Sequence, residues 1–168
     1  MTALADRIDR LTTLIGRAAA WLCLFIVLAQ FAVVLMRYGF GTGSAKLTES
    51  ILYAHAALFM LAAAWTLREN GHVRVDIFYA DAQPRRKALV DLLGALFLLI
   101  PFALSLLILS LPYVARSWAI LERSRETSGL PLVYFLKTLI PVFALLLALQ
   151  GVAQAIRAAH ALTARPGS

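Results

Sequence analysis

The sequence predicts an all-α integral membrane protein with four transmembrane helices, an N-terminal amphipathic interfacial helix and both termini in the cytoplasm. Of its 168 residues, 61% are hydrophobic and only 15% are charged, and the mean hydropathy is +0.80. Soluble domains are typically about half apolar and about one quarter charged. Four apolar segments have the length of a membrane span, which requires roughly 20 residues. The distribution of basic residues then sets the orientation.

Residues 1–17 are predicted to form an amphipathic helix on the cytoplasmic leaflet. Their large apolar side chains recur at helical spacing, as Leu4, Ile8, Leu11 and Ile15. Gly16 is the expected hinge between this helix and the first span. A cleaved signal peptide is the alternative interpretation, but Asp6, Asp9 and the long apolar run that follows disfavour it.

Four segments are predicted to cross the membrane, with approximate bounds 18–36, 50–67, 88–115 and 132–156. The third and fourth exceed the minimum length, so tilting or kinking is expected. Pro101 and Pro141 each remove a backbone donor inside these segments and are the expected kink positions. Residues 157–168 complete a single membrane domain, 1–168, as a cytoplasmic tail.

The basic residues favour an orientation with both termini inside. In that orientation the cytoplasmic side holds ten of the 16 Lys and Arg residues, and short loops rich in these residues remain in the cytoplasm. The densest cluster, Arg85-Arg86-Lys87, lies at a predicted membrane boundary. The basic residues flank apolar segments, so membrane lipids rather than nucleic acid are their expected partners.

A dense polar motif separates the second and third spans, with the sequence Arg68-Glu69-Asn70-Gly71-His72-Val73-Arg74-Val75-Asp76. Charges this close to lipid must face water, headgroups or a protein partner. In an extended chain, His72, Arg74 and Asp76 point to one side. In a helix, His72 and Asp76 pair at i,i+4. Both geometries remain open, as does a solvated cytoplasmic turn.

The loop between the third and fourth spans carries a second group of charges. Glu122 and Glu126 are spaced at i,i+4 with Arg123 and Arg125 between them, which predicts a short external helix with internal ion pairs. Surface pairs add little stability. A solvated helix and a docking rim for a periplasmic partner are therefore both consistent with the pattern.

Neither a catalytic nor a metal site is predicted. His72 and His160 are predicted at the membrane face opposite His55, so they cannot complete a metal site with it. Asp91 is the one acid well inside a span, and Lys87 four residues earlier favours an interfacial ion pair over a proton relay. We therefore expect neither an enzyme nor a cofactor in this chain.

Several short motifs, in order along the four spans, resemble the small membrane (DctQ-type) subunit of tripartite ATP-independent periplasmic (TRAP) transporters. They lie between residues 37 and 151 and comprise Arg37-Tyr38, Glu49 with Tyr53, Ala64-Trp65-Thr66-Leu67-Arg68, Gly71-His72-Val73-Arg74-Val75-Asp76, Ser117-Trp118, Glu122, Gly129-Leu130-Pro131, Lys137, Pro141 and Gln150-Gly151. Each motif is short, and the resemblance depends on their order and topology.

The resemblance implies a small permease subunit in the bacterial inner membrane. It would scaffold a large multi-span subunit that carries the ion coupling, with sodium as the expected ion, while a periplasmic binding protein delivers an organic acid. The implied partner or scaffold interface comprises Arg68, His72, Arg74, Asp76, Arg37, Glu49, Glu122, Lys137 and Gln150. The alternative is a self-sufficient four-helix exporter acting as a homodimer, which would need a central membrane-embedded carboxylate; Asp91 is poorly placed for that role.

Overall fold

The computed structural model describes residues 2–72, 79 and 82–163 of the chain. Its helices are α1 (Thr2–Gly39), α2 (Ala45–Arg68), α3 (Pro84–Gly94), α4 (Ile100–Ala119) and α5 (Val133–Thr163), and a π-helical segment (Ala95–Leu99) joins α3 to α4. Four stretches are long and apolar enough to cross a membrane: α1, α2, α3 together with α4, and α5. The predicted all-α fold with four spans is confirmed.

Helix α5 is the centre of the arrangement. It packs against α1, α2, α3 and α4, whereas no described residue of α1 or α2 makes a close backbone contact with α3 or α4. The buried residues of α5 are mostly small, and small residues let helix backbones approach closely inside a membrane. The start of α1 and the end of α5 define the terminal end of the bundle. Residues 40–44 and 120–132 connect helices at the opposite, distal end.

Helix α1 continues without interruption through Gly16, so the predicted hinge is wrong. The indole of Trp65 in α2 covers Gly16 so closely that a Cβ atom there would lie 2.6 Å from the Trp65 Cβ. The residue is glycine because the two helices approach each other at this point. The absent side chain thus serves helix packing rather than backbone bending.

The N-terminal part of α1 packs against α5 and is not a separate interfacial helix. Ala5, Ile8 and Thr12 are buried there, and Ala5 and Ile8 form a cluster with Ala153 of α5. Leu4 and Leu11, which suggested the apolar face, are exposed. The inward face therefore carries smaller residues than the sequence pattern indicated.

The expected distortion at Pro101 appears in the turn before it. The N–H of Ile100 bonds the carbonyl of Ala95, five residues earlier, which closes a π-helical turn. Pro101 has no N–H to offer the carbonyl four residues before it, and this explains why the helix widens here. Pro141 lies buried inside α5, and the helix continues on both sides of it.

The polar motif begins as a helix cap. Asn70 has a φ of 55°, its N–H bonds the carbonyl of Leu67 at 3.1 Å, and the N–H of Gly71 bonds the carbonyl of Thr66 at 2.9 Å. This pair of bonds is the Schellman motif, which satisfies the last carbonyls of a helix. The start of the motif is therefore a rigid end to α2.

Helix α4 ends in the same way, with Leu121 at a φ of 45° and a 3.0 Å bond from the N–H of Glu122 to the carbonyl of Ser117. Residues 120–132 contain no helix. The predicted external helix through Glu122 and Glu126 is therefore wrong. The left-handed residue turns the chain, and the carboxylate of Glu122 accepts hydrogen bonds from Lys137 and Ser117.

Candidate functional site: two polar clusters

The carboxylate of Asp9 joins three helices at the terminal end. The Nη1 atom of Arg157 in α5 lies 2.5 Å from Asp9 Oδ2, and Arg68 Nε in α2 lies 3.6 Å from the same oxygen. The amide of Gln150 donates to Asp9 Oδ1 at 3.1 Å. These three residues, with Asp9 and Thr12, are termed the Asp9 cluster. Hydrogen bonds to an ionised group are roughly twice as strong as neutral ones.

Gln150 is fully buried, so both halves of its amide need partners. A carboxylate can only accept, which requires the amide nitrogen to face Asp9. The amide oxygen then accepts from the hydroxyl of Thr12 at 3.0 Å. No buried side-chain N or O atom among the described residues lacks a partner. Gln150 thus links α5 to α1.

Arg68 connects the Asp9 cluster to the polar motif. Its Nη1 donates to the hydroxyl of Thr13 at 2.7 Å and to the carboxylate of Glu69 at 2.9 Å. Further along the motif, His72 is exposed, and its Nε2 lies 3.3 Å from the carbonyl oxygen of Ala63. The described part of the motif therefore contacts α1 and α2 of its own chain.

At the distal end, Glu122 links the 120–132 loop to two helices. Lys137 Nζ of α5 lies 2.5 Å from Glu122 Oε2, and the hydroxyl of Ser117 in α4 donates to that oxygen at 2.7 Å. These two donors stabilise the ionised carboxylate and lower the pKa of Glu122. Lys137 Nζ also lies 4.2 Å from the ring centroid of Tyr113, a cation–π contact.

Glu49 of α2 holds the other part of the same loop. Its carboxylate accepts from the Ser124 hydroxyl and from the N–H of Leu130, the latter at 2.6 Å. A Cβ atom on Gly129 would lie 2.6 Å from the Ser124 Cβ and 2.7 Å from Glu49 Oε1, so a larger residue there would displace these two side chains. The set Glu49, Ser117, Glu122, Ser124 and Lys137 is termed the distal cluster.

Five of the nine predicted interface residues belong to the Asp9 cluster or the distal cluster, and four belong to neither. Arg68 and Gln150 belong to the Asp9 cluster, and Glu49, Glu122 and Lys137 belong to the distal cluster. The remaining four divide further: Arg37 is exposed in the last turn of α1, His72 is exposed after α2, and Arg74 and Asp76 lie outside the described residues. Arg37 forms no ion pair with any residue that the structure describes.

Asp9 was missed as a functional residue, since in the predicted interfacial helix it lies away from the apolar side chains Leu4, Ile8, Leu11 and Ile15. Its position one turn before Thr12, in line with Ala5 and Gly16, was the available signal. Small residues at this spacing indicate a helix contact in a membrane. Arg157, at i+7 from Gln150, lies on the same face of α5 and completes the pattern.

Among the described residues, no group of three or more His, Cys, Asp and Glu side chains is arranged to hold a metal ion. Asp91 accepts a hydrogen bond from the Tyr79 hydroxyl at 2.8 Å. His55 stacks on Phe59, with ring centroids 5.7 Å apart, and is exposed on α2. The polar chemistry of the described helices is therefore concentrated in hydrogen bonds and ion pairs between elements.

A comparison with protein families gives a match over most of the chain. The family described as "Tripartite ATP-independent periplasmic transporters, DctQ component" matches residues 26–161. This range contains the whole distal cluster together with Arg68, Gln150 and Arg157, whereas Asp9 precedes it. The comparisons with curated proteins and with solved structures found no match.

Proposed function

Because the chain belongs to the DctQ component family of the tripartite ATP-independent periplasmic transporters, we propose that it scaffolds their large transport subunit as the small permease subunit. The family is a transporter component and not an enzyme family. The chain is a multi-pass protein of the bacterial inner membrane, with four helical stretches able to cross it.

The observation that carries the scaffold role is the location of the ionised groups. The two clusters lie at opposite ends of the bundle and connect helices of the same chain, while the middle of α5 packs through apolar residues such as Ala144, Leu147 and Ala148. A transporter that acts alone needs polar or ionisable groups lining a path through the midplane. This pattern supports a bracing role, with substrate and coupling ion handled by the large subunit.

The outer surface of the spans supports the presence of a membrane partner. Gln30 of α1 and His55 of α2 are polar, exposed and well inside their helices. Polar groups at such depth are costly against lipid and commonly face other helices. We propose that the large multi-span subunit covers part of this surface and that it uses a sodium gradient.

The proposed orientation places both termini in the cytoplasm, as the distribution of basic residues favours. The distal cluster would then face the periplasm, where a soluble binding protein would deliver an organic acid to the complex. The loop 120–132, held by Glu49 and Glu122, offers that protein a fixed rather than a mobile surface.

The test is purification in mild detergent combined with uptake measurements. A larger multi-span protein is expected to co-purify with the chain, and organic acid uptake is expected to stop when either membrane subunit is deleted. Re-expression of the unaltered chain should restore uptake and is the control. Ion-driven uptake by this chain alone in liposomes would contradict the scaffold role and favour the self-sufficient exporter.

A further inference from the structure

A cleft of about 390 Å³ opens at the terminal end between α2, α3 and α5. Its polar lining includes three basic side chains and one acid, namely Arg68, Lys87, Arg157 and Asp91, together with Gln154. Leu67, Ala88 and Ala158 provide apolar lining. Since these residues lie toward the ends of helices able to cross a membrane, we expect the cleft at the depth of lipid headgroups.

Two of the cations are oriented by the Asp9 cluster and keep further donors. A guanidinium carries five N–H bonds. Among the described residues, Arg157 contacts Asp9 through its Nη1, and Arg68 contacts Asp9, Thr13 and Glu69 through its Nε and Nη1. The second terminal nitrogen of each guanidinium is outside these contacts. Asp9 thus fixes two arginines whose other donors are available to a ligand in the cleft.

The third cation comes from α3. Lys87 lines the cleft, and its Nζ lies 5.4 Å from the ring centroid of Tyr79. Arg85 and Arg86 are exposed in the same first turn of α3, beside Pro84, which also lines the cleft. These residues outweigh the negative charge of Asp91, whose carboxylate is bonded to the Tyr79 hydroxyl.

We propose that this cleft binds the phosphate group of an anionic phospholipid. Arginine binds phosphate through paired donors and lysine binds it as a point charge, so the lining suits that group. The headgroup depth and the apolar part of the lining favour a lipid over free phosphate, as in basic pockets between transmembrane helices. The assignment depends neither on the scaffold role nor on which leaflet the terminal end faces.

The test measures lipid retained by the purified full chain after reconstitution in vesicles of equal parts phosphatidylglycerol and phosphatidylcholine. Preferential retention of phosphatidylglycerol is expected by native mass spectrometry. Lys87→Gln, which lies outside the Asp9 cluster, is expected to lower that retention about fivefold, the factor that corresponds to about 1 kcal/mol per basic residue near an anionic surface. Asp91→Asn is expected to raise it.

Arg7→Gln is the matched control, because it removes one exposed positive charge at the same end without lining the cleft. Equal retention of the two lipids, or equal losses in Arg7→Gln and Lys87→Gln, would overturn the proposal. Inorganic phosphate binding without preference between the lipids would overturn the lipid assignment. If Lys87→Gln fails to fold, Asp91→Asn decides alone: unchanged or lower retention would refute the site.

Discussion

The two ends of this bundle use charged residues in different ways. At the terminal end, the single carboxylate of Asp9 contacts Arg68 of α2 and both Gln150 and Arg157 of α5. At the distal end, two carboxylates hold the 120–132 loop. Glu49 of α2 binds the N–H of Leu130, and Glu122 in the loop binds Lys137 of α5. One end is therefore a junction of helices that depends on one residue. The distal end depends instead on separate contacts of Glu49 and Glu122.

The strongest test of this contrast removes the shared carboxylate. Asp9→Ala is expected to lower the free energy of unfolding by about 3 kcal/mol, because Arg157 and the buried amide of Gln150 lose their ionised partner and Arg68 keeps only the carboxylate of Glu69. Asp6→Ala removes an exposed carboxylate one turn earlier in α1 and is expected to change stability by less than about 0.5 kcal/mol. Thermal unfolding in detergent compares them, and equal melting temperatures would contradict a single junction.

A second test separates α1 from α2 without touching any charge. Gly16→Ala places a Cβ against Trp65 and is expected to cost about 2 kcal/mol through overpacking. Gly94→Ala is the control, since no heavy atom lies within 4 Å of its added Cβ; there alanine should stabilise the helix by up to about 1 kcal/mol. If both variants unfold at the same temperature, close approach of α1 and α2 does not support the Asp9 cluster.

The distal cluster is expected to respond less and more locally. Lys137→Gln should lower stability by about 1 kcal/mol, because Glu122 loses its charged donor but keeps the Ser117 hydroxyl. Hydrogen exchange should increase in residues 120–132 and remain unchanged at the terminal end. Lys46→Gln, an exposed residue at the same end, is the control. Faster exchange around Asp9 would show that the two ends are not independent.

The smallest expected effect is a dependence on pH. The folded pKa of Glu122 is lowered from 4.5 by its bonds with Lys137 and Ser117. Its contribution to stability is therefore present above the unfolded value and disappears as the pH falls through the folded one. Loop exchange should increase below about pH 4.5 in the unaltered chain. In the Glu122→Gln variant, acidification should cause no increase in loop hydrogen exchange through protonation of residue 122.

Local patterns predicted the helices better than they predicted what each helix face meets. Apolar length identified the four spans, and the missing N–H of Pro101 indicated the site of the π-helical turn. The i,i+4 spacing of Glu122 and Glu126 failed because contacts with Lys137 and Ser117 outweighed a weak local pair. Tertiary contacts of this kind leave no periodic signal.

The Asp9 cluster illustrates the same limit. Spacing showed that Gln150 and Arg157 share a face of α5, but not that this face meets the beginning of the chain. The large residues Leu4 and Leu11 were predicted to lie on the packed face of the helix, but both are exposed. Helix contacts in a membrane favour small residues instead. The partner or scaffold interface roles of all nine predicted residues stay predictions: Arg68, His72, Arg74, Asp76, Arg37, Glu49, Glu122, Lys137 and Gln150.

The central position of α5 has a consequence for the biogenesis of the protein. The ion pair between Asp9 and Arg157 cannot form until Arg157, 148 positions later in the chain, has been synthesised. At about 5–20 residues per second, this delay is roughly 7–30 s of synthesis. In the folded structure, no described residue of α1 or α2 makes a close backbone contact with α3 or α4, so α5 alone connects these two pairs of helices. Helix α5 follows the other described helices in the chain and is the one that connects the two pairs, so the pairs come together only after α5 has been synthesised.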